Sequence, residues 1–189
     1  MRNELLIDEL NNIRADLTDR VRIARERGEK GIDVQYAVDT VLDLLIMAYA
    51  FGSDDANDAL GTDVEPDGNE MYETIYRKVA DKDFRDRVAE YAVAGSVDDI
   101  MRVAETETTR DYNDAAVQTA IRSGVPAMKR WQTMKDDRVR DTHDYLQGIR
   151  VPVEARFYTY DGDSAAEPGG FTLAENNCNC RCWLTIEKE

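Results

Sequence analysis

The feature that most constrains this chain is a change in the spacing of its apolar residues about two thirds of the way along. Leu6, Leu10, Ile13, Leu17, Val21 and Ala24 recur at steps of four and three, which gives an amphipathic helix one apolar stripe. After Met128 the apolar residues gather in short runs with strand-like alternation. A chain that switches period in this way is expected to be α+β: helices first, then a small mixed unit. We place the helical region at residues 1–94 and the α/β unit at 95–189.

Glycines and capping residues divide the helical part. Gly28 and Gly31 follow the first helix, and Asp33 is placed to cap a second over 34–51, closed by Gly52, so the two form a hairpin. Residues 54–68 read as an acidic connector. Its Asp63 to Gly68 portion fits the opening of a calcium loop, but the closing ligand position falls on Thr74 and Pro66 interrupts it, so a solvated loop is expected. Two shorter helices follow over 71–80 and 82–94, the second capped by Asp81 and stopped by Gly95. Ser96, with Asp99 three residues on, opens a longer helix that ends at Gly124 and Pro126. Val97, Ile100, Met101, Ala104, Thr108 and Tyr112 should face inward, leaving Glu105, Glu107, Arg110 and Asp111 on its wetter side. The strand-like runs are 130–133, 149–153, 157–160 and 182–186, separated by a short helix through His143 and by a Gly/Pro-rich loop over 161–170.

The chain has three cysteines, Cys178, Cys180 and Cys182, at alternate positions. In an extended strand that spacing turns all three thiols to one face. Neighbours two apart on one strand strain a disulfide, and the outer pair is out of reach, so metal ligation or simple packing are the two readings left open. The one histidine, His143, is the natural partner for a thiolate site, in a segment dense in charge from Asp136 to Asp141.

A formal net charge of -15 argues against a chain that grips DNA over most of its surface, because phosphate binding depends on Lys and Arg. The longest apolar stretch, 41–51, is interrupted by Asp43 and is too short to span a bilayer, so a buried helix and no membrane contact are expected.

The ordered set Glu105 to Asn113, Trp131, Asp137 to His143, Leu146-Gln147-Gly148, Pro152, Phe157, Pro168-Gly169 and Asn179-Cys180-Arg181-Cys182 resembles the C-terminal domain of the phage Mu protein F-like family. The resemblance covers about half the chain, from Gly95 to Ile186. It implies a minor head, or head morphogenesis, protein of a tailed phage, made in the host cytoplasm and carried in the virion. Such a protein would contact the portal or major capsid protein, or further copies of itself, and assist head assembly and genome delivery. It further implies a helical N-terminal region that docks partners. The motif residues carried over are Arg110, Trp131, Asp137, Arg138, Arg140, Gly148, Asn179 and Arg181.

Many relatives in that family carry a C-x-x-C pair and a terminal H-P-N-C-R-C, a set resembling a zinc site. Here Arg140 and His143 take the first pair's places, and Asn177 and Cys178 take those of the terminal His-Pro. The zinc ligands implied are therefore His143, Cys178, Cys180 and Cys182, with a metal-free hydrogen-bonded staple as the alternative. Arg138 and Arg140 should pair with Asp136, Asp137 and Asp141, while Trp131 and Phe157 supply core area. An acid/base or nuclease-type enzyme built on His143 is the rival reading. It lacks a second histidine, a G-x-S-x-G elbow and a Walker loop, so no enzymatic activity is expected. A non-virion adaptor is a third.

Overall fold

The computed structural model describes residues 2–189. The apolar stripe of the first helix, α1 (Arg2–Glu26), is buried as expected at Leu6, Ile13, Leu17, Val21 and Ala24. The second helix, α2 (Val34–Leu60), begins where Asp33 accepts the Tyr36 backbone N–H. It runs through Gly52 and stops at Gly61, which adopts a left-handed conformation with φ 62°. Gly52 thus marks a crossing and no helix end. A Cβ there would lie 2.0 Å from the Tyr112 carbonyl oxygen, so only glycine lets the two backbones approach this closely.

Two short helices follow, α3 (Gly68–Ile75) capped by Asp67 and α4 (Phe84–Ala94) capped by Asp83. The helix expected over 71–80 instead runs from Gly68 to Ile75, and beyond it Ala80 and Asp81 take positive φ in a tight turn closed by a Val79–Lys82 bridge. Asp81 is consequently not the cap. The long helix α5 (Val97–Arg122) packs along α2, with α1, α3 and α4 arranged around the pair.

The remaining elements are β1 (Ala127–Gln132), α6 (Asp141–Asp144), β2 (Arg150–Pro152), β3 (Phe157–Tyr158), β4 (Ser164–Ala165), α7 (Ala174–Asn177) and β5 (Trp183–Lys188). β1 is the central strand of an antiparallel sheet ordered β2-β1-β5, with Trp131 opposite Leu184 and Lys129 opposite Ile186. Burial alternates from Cys182 into β5 as the sequence predicts: Cys182, Leu184 and Ile186 inward, Trp183 and Thr185 half-buried. β3 and β4 form a separate ribbon, part of which lies in the stretch read as loop.

The architecture is α+β, a helical first half leading into a small sheet. Two apolar cores lie side by side. One is built from α1 to α5 around Leu17, Leu44, Leu45, Phe84 and Met101. The other joins the end of α2 and of α5 to the sheet through Leu60, Ala116, Trp131, Phe157, Cys182 and Leu184. α2 is long and apolar enough by length and composition to cross a membrane. In the fold it is the central core helix, with Leu45, Ala48 and Tyr49 fully buried.

Candidate metal centre

Thr109 and Asn113 are four residues apart on α5 and therefore share one face. That face holds the cysteine segment. The Thr109 hydroxyl lies 3.0 Å from the Cys180 carbonyl oxygen. The Asn113 amide donates to the Cys182 carbonyl at 3.3 Å, while its side-chain oxygen accepts the Leu184 backbone N–H at 2.8 Å. The Cys180 and Cys182 carbonyls are thereby satisfied by α5 and not by a strand partner, and both cysteines belong to the second core.

α6 delivers the third group. His143 is 1% exposed, and its Nδ1 lies 3.5 Å from the sulfur of Cys180 and 3.5 Å from that of Cys182. One potential ligand atom from each of the three residues falls within 4.8 Å of the others. The imidazole stacks on Phe171 at 5.3 Å and makes an edge-on contact with Trp131 at 5.6 Å, so aromatic rings form part of the wall of the site.

Phe171 and α7 are held in turn by Asp163. Its carboxylate accepts the backbone N–H groups of Ser164, Thr172 and Leu173 and the side-chain amide of Asn176, at 2.8 to 3.2 Å. Burial alone would raise its pKa, but these donors hold it below the usual carboxylate value. Sequence reasoning missed this residue. Residues 161–163 fall within the stretch read as a Gly/Pro-rich loop, and nothing local reveals that Asp163 reaches up to thirteen residues ahead.

Cys178 does not join the other two thiols. It caps α7 and is exposed, and Asn179 then takes a left-handed conformation with φ 54°. The three cysteines are therefore not one strand face: β5 starts only at Trp183, and the turn at Asn179 swings Cys178 outward. The Arg140 guanidinium donates to the Cys178 carbonyl, which fixes this turn.

The donor set fits a tetrahedral zinc ion. With Zn–S of about 2.3 Å and Zn–N of about 2.0–2.1 Å, a tetrahedral S···N edge is about 3.6 Å. Both S···N separations here are 3.5 Å, a spacing that a thiol–imidazole hydrogen bond shares. The Cys180 thiol is held well below its usual pKa, chiefly by a hydrogen bond from the Cys182 thiol, then by His143, against the opposing effect of burial. Cys182 is correspondingly pushed up by Cys180 and by burial. A cation between the sulfurs would offset the charge of the pair. His143, Cys180 and Cys182 are the residues that would hold such a cation, and it would cross-link α6 to the start of β5.

Of the other motif residues, Trp131 is fully buried against Phe157 and Phe171. Gly148, with φ 78°, turns the chain after α6 and donates its N–H to the Trp131 carbonyl at 2.8 Å. Asp136 pairs with Arg181 at 2.7 Å, where the sequence suggested Arg138 or Arg140 as its partner; Arg138 contributes its backbone N–H to Asp136. Asp137 and Arg138 are exposed.

Arg110 requires a larger correction. It, Glu107 and Asp111 are buried, not on a wet face, because α3, α4 and the 168–170 turn cover that side of α5. Arg110 pairs with Glu107 and Asp111 and donates to the Thr74 carbonyl at 3.0 Å, and Arg87 reaches Glu107 at 2.7 Å. Burial pushes Asp111 up to about 7 despite Arg110 beside it. Two further buried charges were missed by sequence reasoning. Lys129 sits over the Phe157 ring at 5.6 Å, and burial lowers its pKa to about 8. Burial raises Glu167 to about 7.

A family model described as "Phage Mu protein F like protein" matches residues 70–185, more than half of the chain. The chain belongs to this family. The matched span contains every part of the joint just described, from Thr109 and Asn113 to Cys182. Among curated relatives, an NAD(+)–arginine ADP-ribosyltransferase named EFV from Enterococcus faecalis is 36% identical over 90 residues, covering 46% of this chain and 18% of that protein. Minor head protein GP7 of Bacillus phage SPP1 is 33% identical over 60 residues, covering 32% of this chain and 20% of that protein. The chain thus corresponds to about a fifth of the length of either relative. No solved structure matches at a significant level.

Proposed function

We propose that this protein is a structural minor head protein of a tailed phage, acting without catalysis at the portal end of the capsid. In this reading it assists head assembly and genome delivery, and docks the portal or major capsid protein through its helical 1–94 region. Family membership and the relative named as a minor head protein support a role in the phage head. One geometric observation favours an architectural role for the shared residues. The motif pieces around Thr109, Asn113, His143 and Cys180-Arg181-Cys182 meet at a buried joint, with His143 enclosed between two thiols and two aromatic rings. A general acid or base must offer a ring nitrogen to its substrate, and this imidazole is almost fully buried with its Nδ1 facing both thiols.

The resemblance to the ADP-ribosyltransferase is compatible with this reading, because the shared stretch is 18% of that protein. We infer that the common part is a module of the head family and that the transferase chemistry lies elsewhere in the relative. We further propose that His143, Cys180 and Cys182 bind zinc as a structural staple, with Cys178 outside the set.

The test is to locate the chain. Mass spectrometry of purified particles, followed by reconstruction of the portal vertex, should find it there in a fixed copy number. Its presence only in the lysate, or NAD consumption by the purified protein, would overturn the proposal.

A further inference from the structure

Three ligands leave a tetrahedral ion with one open position, and the surroundings of this centre suggest what fills it. Beside Cys182 and His143 lies a small cleft of about 10 Å³, room for about one water molecule. Its rim includes Met134, Val139 and Asn179 together with three arginines, Arg138, Arg140 and Arg181. Such a rim is unusual in a chain with a net charge of -15. Arg181 is paired with Asp136, and Arg140 donates to the Cys178 carbonyl, so both guanidiniums are fixed in place. Arg138 is exposed. Two thiolates cancel the charge of a divalent ion and Asp136 offsets Arg181, which leaves Arg138 and Arg140 as the cations on the rim of a loaded centre.

We propose that the centre is a three-ligand site whose fourth position faces this cleft and takes a small exogenous anion, held by the arginines. The inference rests on the metal reading given above. It differs from a closed four-ligand staple in one respect: the ion stays open to exchange with solution, as sites with three protein ligands do.

Cobalt(II) is the probe and azide the anion. The full chain is loaded with cobalt and titrated with azide while the near-ultraviolet thiolate-to-cobalt band and the visible ligand-field bands are recorded. The expected result is a saturable shift of the visible bands with the thiolate band retained. Arg140→Gln and Arg138→Gln should each weaken azide binding about tenfold, as expected for loss of a hydrogen bond to a charged group, with cobalt still bound. Arg138 is exposed, so its variant keeps the test independent of any folding defect in the other. Cys178→Ser should leave both spectra unchanged. Cobalt spectra indifferent to azide, or a thiolate band weakened in Cys178→Ser, would mean the fourth position is already filled and would overturn the inference. Failure to bind cobalt at all in a folded protein would remove the metal reading itself, and the anion site with it.

Discussion

The side-chain oxygen of Asn113 accepts the backbone N–H of Leu184 at 2.8 Å, a bond between residues 71 apart in sequence. Through it α5 sets where β5 begins, and the Asn113 amide on the Cys182 carbonyl sets how the cysteine segment enters the strand. Asn113→Ala should leave the buried Leu184 N–H without a partner and cost about 2–3 kcal/mol in urea unfolding. Asn113→Asp keeps the acceptor and should cost less. Equal stabilities of wild type and Asn113→Ala would show that the joint does not depend on this contact.

The crossing of α2 and α5 gives a sharper prediction. Gly52→Ala places a methyl group 2.0 Å from the Tyr112 carbonyl, with backbone on both sides and no flexible side chain to yield. We expect a loss of about 3 kcal/mol or more, the upper range for overpacking. Gly28→Ala is the control. Its φ is 78° and nothing lies within 4 Å of the added carbon, so only the left-handed backbone penalty of about 1–2 kcal/mol applies. Thermal denaturation of the two variants should separate them clearly.

Glu167 predicts a pH dependence of definite sign. Its folded pKa of about 7 lies above the unfolded value near 4.5, so the folded state holds the proton more tightly. Its contribution to stability is full below pH 4.5 and is lost as pH rises towards 7, by an amount on the order of 3 kcal/mol. Glu167→Gln should remove this slope. The difference in unfolding free energy between wild type and variant should therefore move in favour of wild type as pH falls from 7 to 4.5. A difference independent of pH would contradict the assignment. Carboxylates held below their normal range, such as Asp163, titrate outside this window at lower pH and cancel in the comparison.

Metal content separates the cysteines. Cys180→Ser and His143→Ala should each abolish stoichiometric zinc by elemental analysis, whereas Cys178→Ser should retain it. Chelation should lower the thermal midpoint of wild type and leave that of Cys180→Ser unchanged. A loss of zinc in Cys178→Ser equal to that in Cys180→Ser would require the Asn179 turn to rearrange on binding.

How much of this was legible in the sequence depended on whether the signal was local. The stripe on α1, the Asp33 cap and the alternation of Cys182, Leu184 and Ile186 all follow from periods of three to four or of two within a short window, and all are present. The resemblance to the head family also rested on short stretches that can be read directly. Gly52 was misread because a glycine that ends a helix and one that admits a neighbouring helix are identical in sequence; only the partner, Tyr112, distinguishes them. Arg110, Glu107 and Asp111 were misplaced for a related reason. Charged residues on one helix face suggest solvent unless the elements that cover them, α3, α4 and the turn at Gly169, are known. Cys178 departed from the common face because Asn179 takes a conformation that ordinary alternation does not anticipate. Asp163 left no local sign at all, since its partners lie up to thirteen residues ahead.

The contact at Gly52 also bears on how the parts of this molecule hold together. Where two helices touch through side chains, the interface can slip by a rotamer change. Here bare backbone meets bare backbone, and α2 and α5 are pinned as two rods are pinned at a rivet. α2 contributes to both cores, so this one crossing ties the position of the sheet to that of the helical layer.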